Sequence, residues 1–528
     1  MRKLSLREKA GQMFMIGFHG KELPGEVRSF INEANIGFVV IFARNVKSPS
    51  QVVELTNDIH SLGKVPPMIF ADQEGGLVCQ FGELAATFTS PMGLAATGQP
   101  SMAKIAGAGI ARDMALLGVD GVIAPVVDVN RKPSNPIIGV RAFSDEPGTV
   151  IRFARRFLDG VKKTGIAPVL KHYPGHGGTS LDSHLALPSV DESEEFFRGI
   201  DLRPFSSLGR EADFMMSAHV VFPAVDPSGL PATFSRRIMG KLLREEISFE
   251  GVMITDCLEM RAVRENFSPE EMVKFAIEAG ADVLLASHSL EFQRELYNIL
   301  LNLVKEGKIA EERINLSVAR ILRAKEKYGL LSRRVKDPLE AEENLRQHRE
   351  KEYEVCASSI ALLRNRAGAI PVPQNRRVGI IEWAKAPSTV PISEAKRKSY
   401  LQGRAGEYFE KAEVLILPLK EPDFGKIKDF VASHDELLLA PYSRTPEAER
   451  LQGEVISEIL KMKEDAIVCS LANPYDIRWF PEVKTYMAVF SFRDCSVKAL
   501  FDVLTGRRKA TGLLPVEIKG IFPRWHKA

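Results

Sequence analysis

The sequence predicts an α/β protein in which an N-terminal (β/α)₈ barrel of the TIM type is followed by a smaller α/β sandwich domain. Three observations point to this architecture. The chain has 528 residues, more than one ordinary domain contains. Eight short apolar runs precede residue 290, and segments with helical periodicity separate most of them. A second alternation of apolar runs and helical segments begins near residue 351.

The eight apolar runs have the length expected of buried strands. Alternation of strand and helix predicts a parallel sheet, and eight strands within about 290 residues favour a closed barrel over an open sheet. The predicted strands are 13–18, 37–43, 68–71, 121–129, 166–170, 214–221, 251–254 and 282–286. Helical periodicity is clearest over 50–62, 101–117 and 149–164.

A charged helix over 309–331 is expected to end the barrel domain, which would span 1–333. The polar segment 334–350 is typical of a linker between domains. The second domain would span 351–528, with an open, mostly parallel sheet flanked by helices such as 446–463. Its predicted strands are 359–363, 378–382, 414–417, 436–440, 466–471 and 487–490.

Composition narrows the function classes. The chain has 45% hydrophobic and 26% charged residues, which is typical of a soluble globular protein. Its net charge of +3 gives no argument for nucleic-acid binding. No run of eighteen apolar residues predicts a membrane span. The first residues lack the apolar region of a secretory signal, and the five cysteines are widely spaced and odd in number. A cytoplasmic location is therefore expected, whereas the oligomeric state is left open.

Polar and charged residues follow the predicted strands at their C-terminal ends. In (β/α)₈ barrels this rim carries the chemistry. Any one of these residues is equally well explained as a cap or loop residue, but their joint placement favours a site. They are Arg44, Asn45, Asp72, Glu74, Asp128, Asn130, Arg141, Lys171, His172, His219 and Asp256.

The segment 171–188, after the fifth predicted strand, is the densest in chemistry. It holds Lys171, His172, His176, Asp182 and His184, so three of the ten histidines lie within fourteen residues. Its glycines allow close approach of the backbone to a ligand. The alternative is a glycine-rich surface turn with solvated histidines, but this density of titratable groups favours an active-site loop.

Two features of the sequence suggest acid–base and nucleophilic chemistry. Asp182 can orient the imidazole of His184 and raise its basicity, which makes a proton-transfer pair. Asp256 ends an apolar strand and can be a nucleophile, a metal ligand or a helix cap. An anionic nucleophile with a separate proton shuttle is what retaining glycoside hydrolysis requires.

A metal site is the alternative interpretation of the same segment. His172 and His176, with His184 or Asp182, have a spacing that suits zinc on a helix. Pro174 and the neighbouring glycines argue against a helix there. No phosphate-binding loop of the Walker type occurs, so nucleotide hydrolysis has little support.

These motifs resemble glycoside hydrolase family 3, in particular its bacterial β-N-acetylhexosaminidase branch. The matching segments are 72–76, 171–177, 182–184, 218–219 with 231–233, and 254–260, and the second domain contributes 473–476 and 512–515. The resemblance implies Asp256 as the nucleophile and His184 as the acid/base with Asp182 as its partner. It implies a substrate-binding set of Asp72, Gln80, Arg141, Lys171, His172 and His219.

Two positions depart from the family pattern. Leu77 and Gln80 stand where the family has arginines, and the second of these usually supplies a guanidinium to the sugar. An uncharged amide cannot make the two charge-assisted hydrogen bonds that a guanidinium makes, so Gln80→Arg is expected to tighten sugar binding. Gly178 stands where the family usually has an aspartate.

The sequence therefore predicts a retaining, exo-acting β-N-acetylglucosaminidase without metal or cofactor. Its expected substrates are small carbohydrates, namely muropeptide or chitin-derived fragments with terminal N-acetylglucosamine. The alternatives are an N-acetylglucosaminide phosphorylase, a metal-dependent hydrolase, and a weakly active or non-catalytic sugar-binding relative.

Overall fold

The computed structural model describes residues 4–183, 185–332, 335–345, 349–384, 399–443 and 445–528. Eight parallel strands form the first sheet in the order β8-β1-β2-β3-β4-β5-β6-β7. A parallel bridge between Ile254 and Val283 joins the two ends and closes the barrel. The strands are β1 Phe14–Ile16, β2 Phe38–Ile41, β3 Met68–Ala71, β4 Gly121–Val122, β5 Ala167–Tyr173, β6 Phe214–Ser217, β7 Val252–Ile254 and β8 Leu284–Ala286.

The predicted barrel is thus confirmed strand by strand, although most of the strands are shorter than the predicted runs and the fifth extends further. The fourth run forms only a short β-strand before it continues as extended chain. The fifth strand continues to Tyr173, because the N–H of Val127 donates to the carbonyl oxygen of Lys171 at 2.8 Å and Val126 bridges to Lys171. Lys171 and His172 therefore lie on a strand and not on a loop.

Helices surround the barrel, and several begin where the sequence predicts. Proline lies in the first turn of the helices that start at residues 49, 100, 147 and 269, where a missing N–H costs nothing. The α-helices of this part are Leu6–Gln12, Gly25–Ala34, Pro49–His60, Pro91–Ala96, Pro100–Leu116, Pro147–Lys162, Glu194–Gly199, Arg203–Leu208, Arg261–Arg264, Pro269–Ala279, Leu290–Lys305 and Glu311–Lys327. A π-helix covers Arg236–Glu246, and 3₁₀ turns cover Ala43–Asn45, Gly82–Leu84, Gly139–Arg141, Gly209–Glu211, Ala232–Phe234 and Leu330–Ser332.

The second sheet has six strands in the order β9-β14-β13-β12-β10-β11. Only β9 runs antiparallel, against β14, so the predicted open and mostly parallel sheet is confirmed. Its strands are β9 Ala361–Asn365, β10 Arg377–Trp383, β11 Lys411–Leu417, β12 Glu436–Ala440, β13 Ile467–Ser470 and β14 Thr485–Ala488. Its helices are Arg349–Ser359, Gln402–Tyr408, Phe424–Ser433, Pro446–Met462 and Asp494–Leu504, with a 3₁₀ turn at Pro474–Trp479.

The connector contains a helix, Pro338–Leu345, whose Ala341 and Leu345 are buried in the barrel core. The division of the chain at 333 and 350 stays a prediction. In the described residues, no helix has both the length and the apolar character that crossing a bilayer requires.

The second domain packs against the loops at the barrel rim. The guanidinium of Arg493 donates to the carbonyl oxygens of Gly76 at 2.6 Å and Leu77 at 3.1 Å. A carboxylate oxygen of Glu352 accepts from the Thr87 and Phe88 N–H groups. These contacts fix the short hairpin formed by Gln73–Gly75 and Val78–Cys79, which follows β3.

Candidate active site

A cavity of about 170 Å³ opens at the C-terminal ends of the barrel strands. Its walls contain both charged and apolar side chains, and none of the second domain's described residues lines it. The lining residues are Val40, Phe42, Arg44, Asp72, Val78, Ile123, Ile137, Arg141, Lys171, His172, His176, Ser183, Met216, Asp256, Cys257, Met260, Leu285, Ser287 and His288.

One side of the cavity is a closed network of ion pairs. The Lys171 ammonium lies 2.5 Å from Asp72 Oδ1 and 2.6 Å from Glu74 Oε1. The Arg141 guanidinium donates to both oxygens of Glu74, at 2.8 and 2.9 Å. Such bidentate, charge-assisted bonds fix planar groups in one orientation. The network therefore presents Asp72, Lys171 and Arg141 to the cavity as rigid hydrogen-bonding groups.

Glu74 is the anchor of this network. Burial by itself raises the pKa of its carboxyl, but the charges of Arg141 and Lys171 outweigh burial and lower the pKa to about 2. Burial likewise lowers the pKa of Lys171, and the charges of Asp72 and Glu74 more than reverse this effect. Glu74, Arg141 and Lys171, all buried, are consequently ionised near neutral pH.

His172 is oriented by a buried aspartate. Asp128 Oδ2 lies 2.7 Å from Nδ1 of His172, and Oδ1 accepts the N–H of His176 at 2.6 Å. Burial raises the pKa of Asp128, but His172, by charge and hydrogen bond, brings it below its ordinary value. With Nδ1 donating to a carboxylate, Nε2 of His172 is the nitrogen left to face Arg141, 3.5 Å away.

The loop after β5 is held over the cavity by His176. Its Nδ1 lies 2.9 Å from Thr179 Oγ1, and its Nε2 lies 2.9 Å from Ser183 Oγ. Burial and the nearby His172 lower the pKa of His176 to about 4, so the ring is neutral near pH 7. The Ser183 carbonyl oxygen also accepts the N–H of Ala262 at 3.3 Å. Ser183 is thereby tied to the helix Arg261–Arg264, which directly follows the loop that carries Asp256.

Two glycines let this loop lie close to the loop after β4. A Cβ on Gly177 would lie 1.8 Å from the carbonyl oxygen of Val129, and a Cβ on Gly178 would lie 1.9 Å from the Arg131 guanidinium. That guanidinium donates to Asp201 Oδ1 at 2.9 Å and to Glu192 Oε1 at 2.8 Å. Arg131 therefore occupies the space that a side chain at residue 178 would need, and it braces both ends of the loop.

Asp256 follows β7 and lines the cavity opposite the ion-pair network. Its Oδ1 accepts the N–H of Cys257 at 2.7 Å. His219 lies beneath this loop, with Nε2 3.1 Å from the Cys257 carbonyl oxygen and Nδ1 2.9 Å from Thr233 Oγ1. His219 thus positions the backbone beside Asp256.

The structure brings together most of the residues that the sequence singled out. Asp72, Arg141, Lys171, His172 and Asp256 all line the cavity. Asp182 lies beside Ser183 on the loop, and its carbonyl oxygen accepts the N–H groups of Leu185 and Ala186. His184 lies outside the described residues.

Two predicted sugar-binding residues are buried but do not line the cavity. His219 has the positioning contacts described above. The Gln80 side-chain oxygen accepts the N–H of Ala43 at 3.0 Å, and the Gln80 N–H donates to the Asp72 carbonyl oxygen at 3.1 Å. A direct contact of either side chain with sugar stays a prediction.

The sequence places Glu74 and Asp128 at the rim but predicts a role for neither. Both are fully buried carboxylates that orient cavity residues, and a buried charge is expected to have such partners. Their position directly after a predicted strand was the available signal. The partners, Arg141 and His172, are distant in sequence.

Comparisons with known proteins agree on one family. A family model for the N-terminal domain of glycosyl hydrolase family 3 matches residues 5–324. The chain is 28% identical over 563 aligned positions to β-hexosaminidase A of Pseudoalteromonas piscicida, covering 94% of this chain and 91% of that relative. It is 40% identical over 282 residues to a β-hexosaminidase of Alkalilimnicola ehrlichii, covering 52% of this chain and 80% of that one.

Similarity to a solved structure extends over both domains. A glycoside hydrolase family 3 β-N-acetylglucosaminidase from Paenibacillus sp. str. FPU-7 superposes with a TM-score of 0.89 at 30% identity. The match covers 99% of this chain and 100% of that one, so the order of barrel and sandwich domain is shared.

Proposed function

We propose that this chain, which belongs to glycosyl hydrolase family 3 and is a glycoside hydrolase, is a retaining exo-β-N-acetylglucosaminidase. The observation that carries the proposal is that one cavity has hydrogen-bonding groups on one wall and a single carboxylate on the opposite wall. A rigid set of ion-paired side chains, Asp72, Lys171 and Arg141, faces a carboxylate at a strand end, Asp256. The name of the Paenibacillus relative, a β-N-acetylglucosaminidase, supports N-acetylglucosamine as the sugar, and the two relatives named β-hexosaminidase support a hexosamine in general.

The binding wall suits the hydroxyl groups of a terminal sugar. Asp72 can accept hydrogen bonds, whereas Lys171 and Arg141 can only donate them, so the wall distinguishes donors from acceptors around the ring. Because these groups are fixed by Glu74, the sugar need not order them on binding. This arrangement supports exo action on one terminal residue.

In the proposed first step, Asp256 attacks the anomeric carbon while His184 protonates the departing glycosidic oxygen. The sugar becomes bound covalently to Asp256 through an ester, and the aglycone leaves with the proton. In the second step His184 removes a proton from water, which attacks the same carbon and releases Asp256. Two inversions give net retention at the anomeric carbon.

The loop contacts support the assignment of Asp182 and His184 as the proton-transfer pair. Ser183, the residue between them, lines the cavity and bonds to His176 and to the helix that follows the Asp256 loop. A loop that is held at the cavity by such contacts can bring a proton-transfer pair to a substrate beside Asp256. His176 itself is neutral and fully hydrogen-bonded, which suits a supporting role.

As substrates we propose muropeptide or chitin-derived fragments that end in β-linked N-acetylglucosamine. A cytoplasmic location is part of the same proposal and is supported by the odd number and wide spacing of the cysteines.

The proposal is tested with nitrophenyl β-glycosides that differ at C2 and C4. The expected result is the highest kcat/KM for the N-acetylglucosaminide, with the β-anomer of the free sugar appearing first by NMR. A higher kcat/KM for the glucoside would overturn the choice of sugar, and an initial α-anomer would overturn retention. Accumulation of a sugar phosphate when inorganic phosphate is added would instead identify a phosphorylase.

A further inference from the structure

Three side chains beside Asp256 have the composition of a metal site. Cys257, Glu259 and His288 each offer one ligand atom, and these atoms lie within 4.8 Å of one another. Cys257 and His288 line the cavity, and Glu259 lies behind them. We propose that this cluster, the Cys257–Glu259–His288 site, binds Zn²⁺ and that the bound ion reversibly inhibits the enzyme.

The three donor types match the preferences of zinc. Zn²⁺ takes thiolate, imidazole and carboxylate ligands in tetrahedral geometry, with bonds of about 2.0–2.3 Å. Such bonds place ligand atoms roughly 3.3–3.8 Å apart. The ligand atoms of the cluster must therefore close by about 1 Å, which small side-chain rotations provide. Three protein ligands leave a fourth position, on the cavity side, for water.

Glu259 is held in place by backbone groups. Its Oε2 accepts the N–H groups of Ser287 at 2.6 Å and His288 at 2.7 Å, and its Oε1 accepts that of Ser289 at 2.8 Å. A carboxylate offers about four acceptor positions, and the N–H groups of the described residues leave one of them on Oε1. The same bonds bring the backbone of His288 to Glu259, which places two ligands together before any ion binds.

The other two ligands are also oriented by contacts that the fold supplies. The ring of His288 stacks on Phe42, with centroids 6.1 Å apart and an interplanar angle of 24°. Cys257 Sγ lies 3.5 Å from Ser287 Oγ and 3.8 Å from Glu259 Oε2. Preorganised ligands with supporting hydrogen bonds raise metal affinity.

The surrounding charges admit a divalent cation. The carboxyl groups of Asp256 and Glu259 lie beside Cys257 in the chain. Burial raises the pKa of the Cys257 thiol to about 12, so the thiol releases its proton to solvent only when zinc binds and stabilises the thiolate. The cation that faces the cluster is Arg44, whose guanidinium donates to the carbonyl oxygens of Phe18 at 2.8 Å and Ser287 at 2.6 Å. Two carboxylates and one guanidinium therefore surround the site before the ion arrives, and the Cys257 thiolate adds a third negative group only when the ion binds.

An ion at this place would block turnover. Asp256 Oδ1 is bonded to the N–H of Cys257, so a zinc–thiolate bond restrains the loop that carries the proposed nucleophile. The ion and its water would also occupy the part of the cavity between His288 and Asp256. We therefore expect inhibition that a chelator reverses.

The test uses Co²⁺ as a spectroscopic probe, then Zn²⁺, on the chelator-treated full-length protein without substrate. The expected result is one bound ion per chain and a near-ultraviolet thiolate-to-cobalt charge-transfer band. Cys257→Ser should abolish the band, and both Cys257→Ser and His288→Ala should weaken Zn²⁺ binding in equilibrium dialysis by at least about tenfold. Cys495→Ser, a half-buried thiol in the second domain, is the matched control and should leave both unchanged.

Two results would overturn the proposal. One is cobalt binding without a thiolate band. The other is unaltered zinc affinity in a folded His288→Ala variant, which replaces an exposed side chain and so serves if Cys257→Ser does not fold. Inhibition by zinc is measured relative to each variant's own rate without zinc. If the half-inhibitory zinc concentration does not rise in Cys257→Ser or His288→Ala, inhibition through this site is excluded. Because binding is read without turnover, these outcomes do not depend on the proposed sugar.

Discussion

The two sides of the cavity are held by different forces. On the binding side, Glu74 ties Lys171 and Arg141 into buried ion pairs. On the loop side, His176 connects Thr179 and Ser183 by neutral hydrogen bonds. Buried ion pairs hold one geometry and are costly to break, whereas neutral bonds are individually worth about 1 kcal/mol. The difference indicates a fixed wall, which we propose binds the sugar, opposite a loop that can adjust its position and that we propose carries the proton-transfer pair.

We expect the largest loss of kcat from replacing the residue that is proposed to attack the anomeric carbon. Asp256→Ala removes the proposed nucleophile and should lower kcat by roughly 10⁴–10⁶-fold, the range for loss of a nucleophile or its partner. Steady-state kinetics with a nitrophenyl substrate gives the value, and circular dichroism checks the fold. Turnover within tenfold of wild type in a folded variant would contradict the assignment.

The next largest loss of rate is expected at His184, and its dependence on the leaving group distinguishes a role in proton transfer from a role in binding. His184→Ala should slow natural substrates by roughly 10²–10⁴-fold, because their poor leaving groups need protonation. A nitrophenolate leaves without that help, so its release should be slowed much less in the first step. Asp182→Ala should show the same pattern more weakly. Equal losses on both substrate types would indicate a binding or structural role for His184.

Breaking the binding side should cost stability as well as affinity. Glu74→Gln leaves two buried cations without their shared carboxylate, which should lower the free energy of unfolding by about 3–5 kcal/mol and raise KM. Glu211→Gln, at the exposed ion pair with Arg155, is the matched control, for which a change below about 1 kcal/mol is expected.

The pH dependence of the same variant sharpens this test. The pKa of Glu74 is about 2 in the fold and 4.5 ordinarily. Stabilisation by the carboxylate is therefore fully present above pH 4.5 and is lost as the pH falls toward 2. Denaturant unfolding should show the difference between wild type and Glu74→Gln shrinking over that range, and a constant difference would contradict the ion-pair account.

The smallest predicted effect concerns the brace behind the loop. Arg131→Ala releases Asp201 and Glu192 and should lower kcat by up to about 10²-fold through misplacement of the loop, with KM less affected. Lys132→Ala removes a neighbouring exposed cation that bonds to Ser180 of the same loop, and it should change kcat less than threefold or so. Similar losses in both variants, or a rise in KM alone, would argue against a specific brace at Arg131.

Which features of the structure can be predicted from the sequence depends on whether they arise from local or long-range contacts. The strands and the two sheet types were predictable because alternation of apolar runs and helices is local. Cavity residues such as Lys171 and Asp256 were predictable because they lie at strand ends. The pairing of Glu74 with Arg141 was not, because it joins residues 67 positions apart through the barrel.

Gln80 illustrates the same limit. From the sequence, an arginine at this position is expected to tighten sugar binding. In the structure the Gln80 oxygen accepts the N–H of Ala43, and an arginine, which has no acceptor, would leave that donor unsatisfied. The contact partner, and with it the expected effect of Gln80→Arg, becomes visible only in three dimensions.

The most direct measurement of the central claim is mass spectrometry of the His184→Ala variant incubated with a dinitrophenyl N-acetyl-β-glucosaminide. The activated leaving group departs without acid help, but the attack of water lacks its base, so the glycosyl-enzyme should accumulate. The account predicts one N-acetylglucosaminyl group on the peptide that contains Asp256. An enzyme that turns over this substrate without forming the adduct, or an adduct on a different residue, would contradict it.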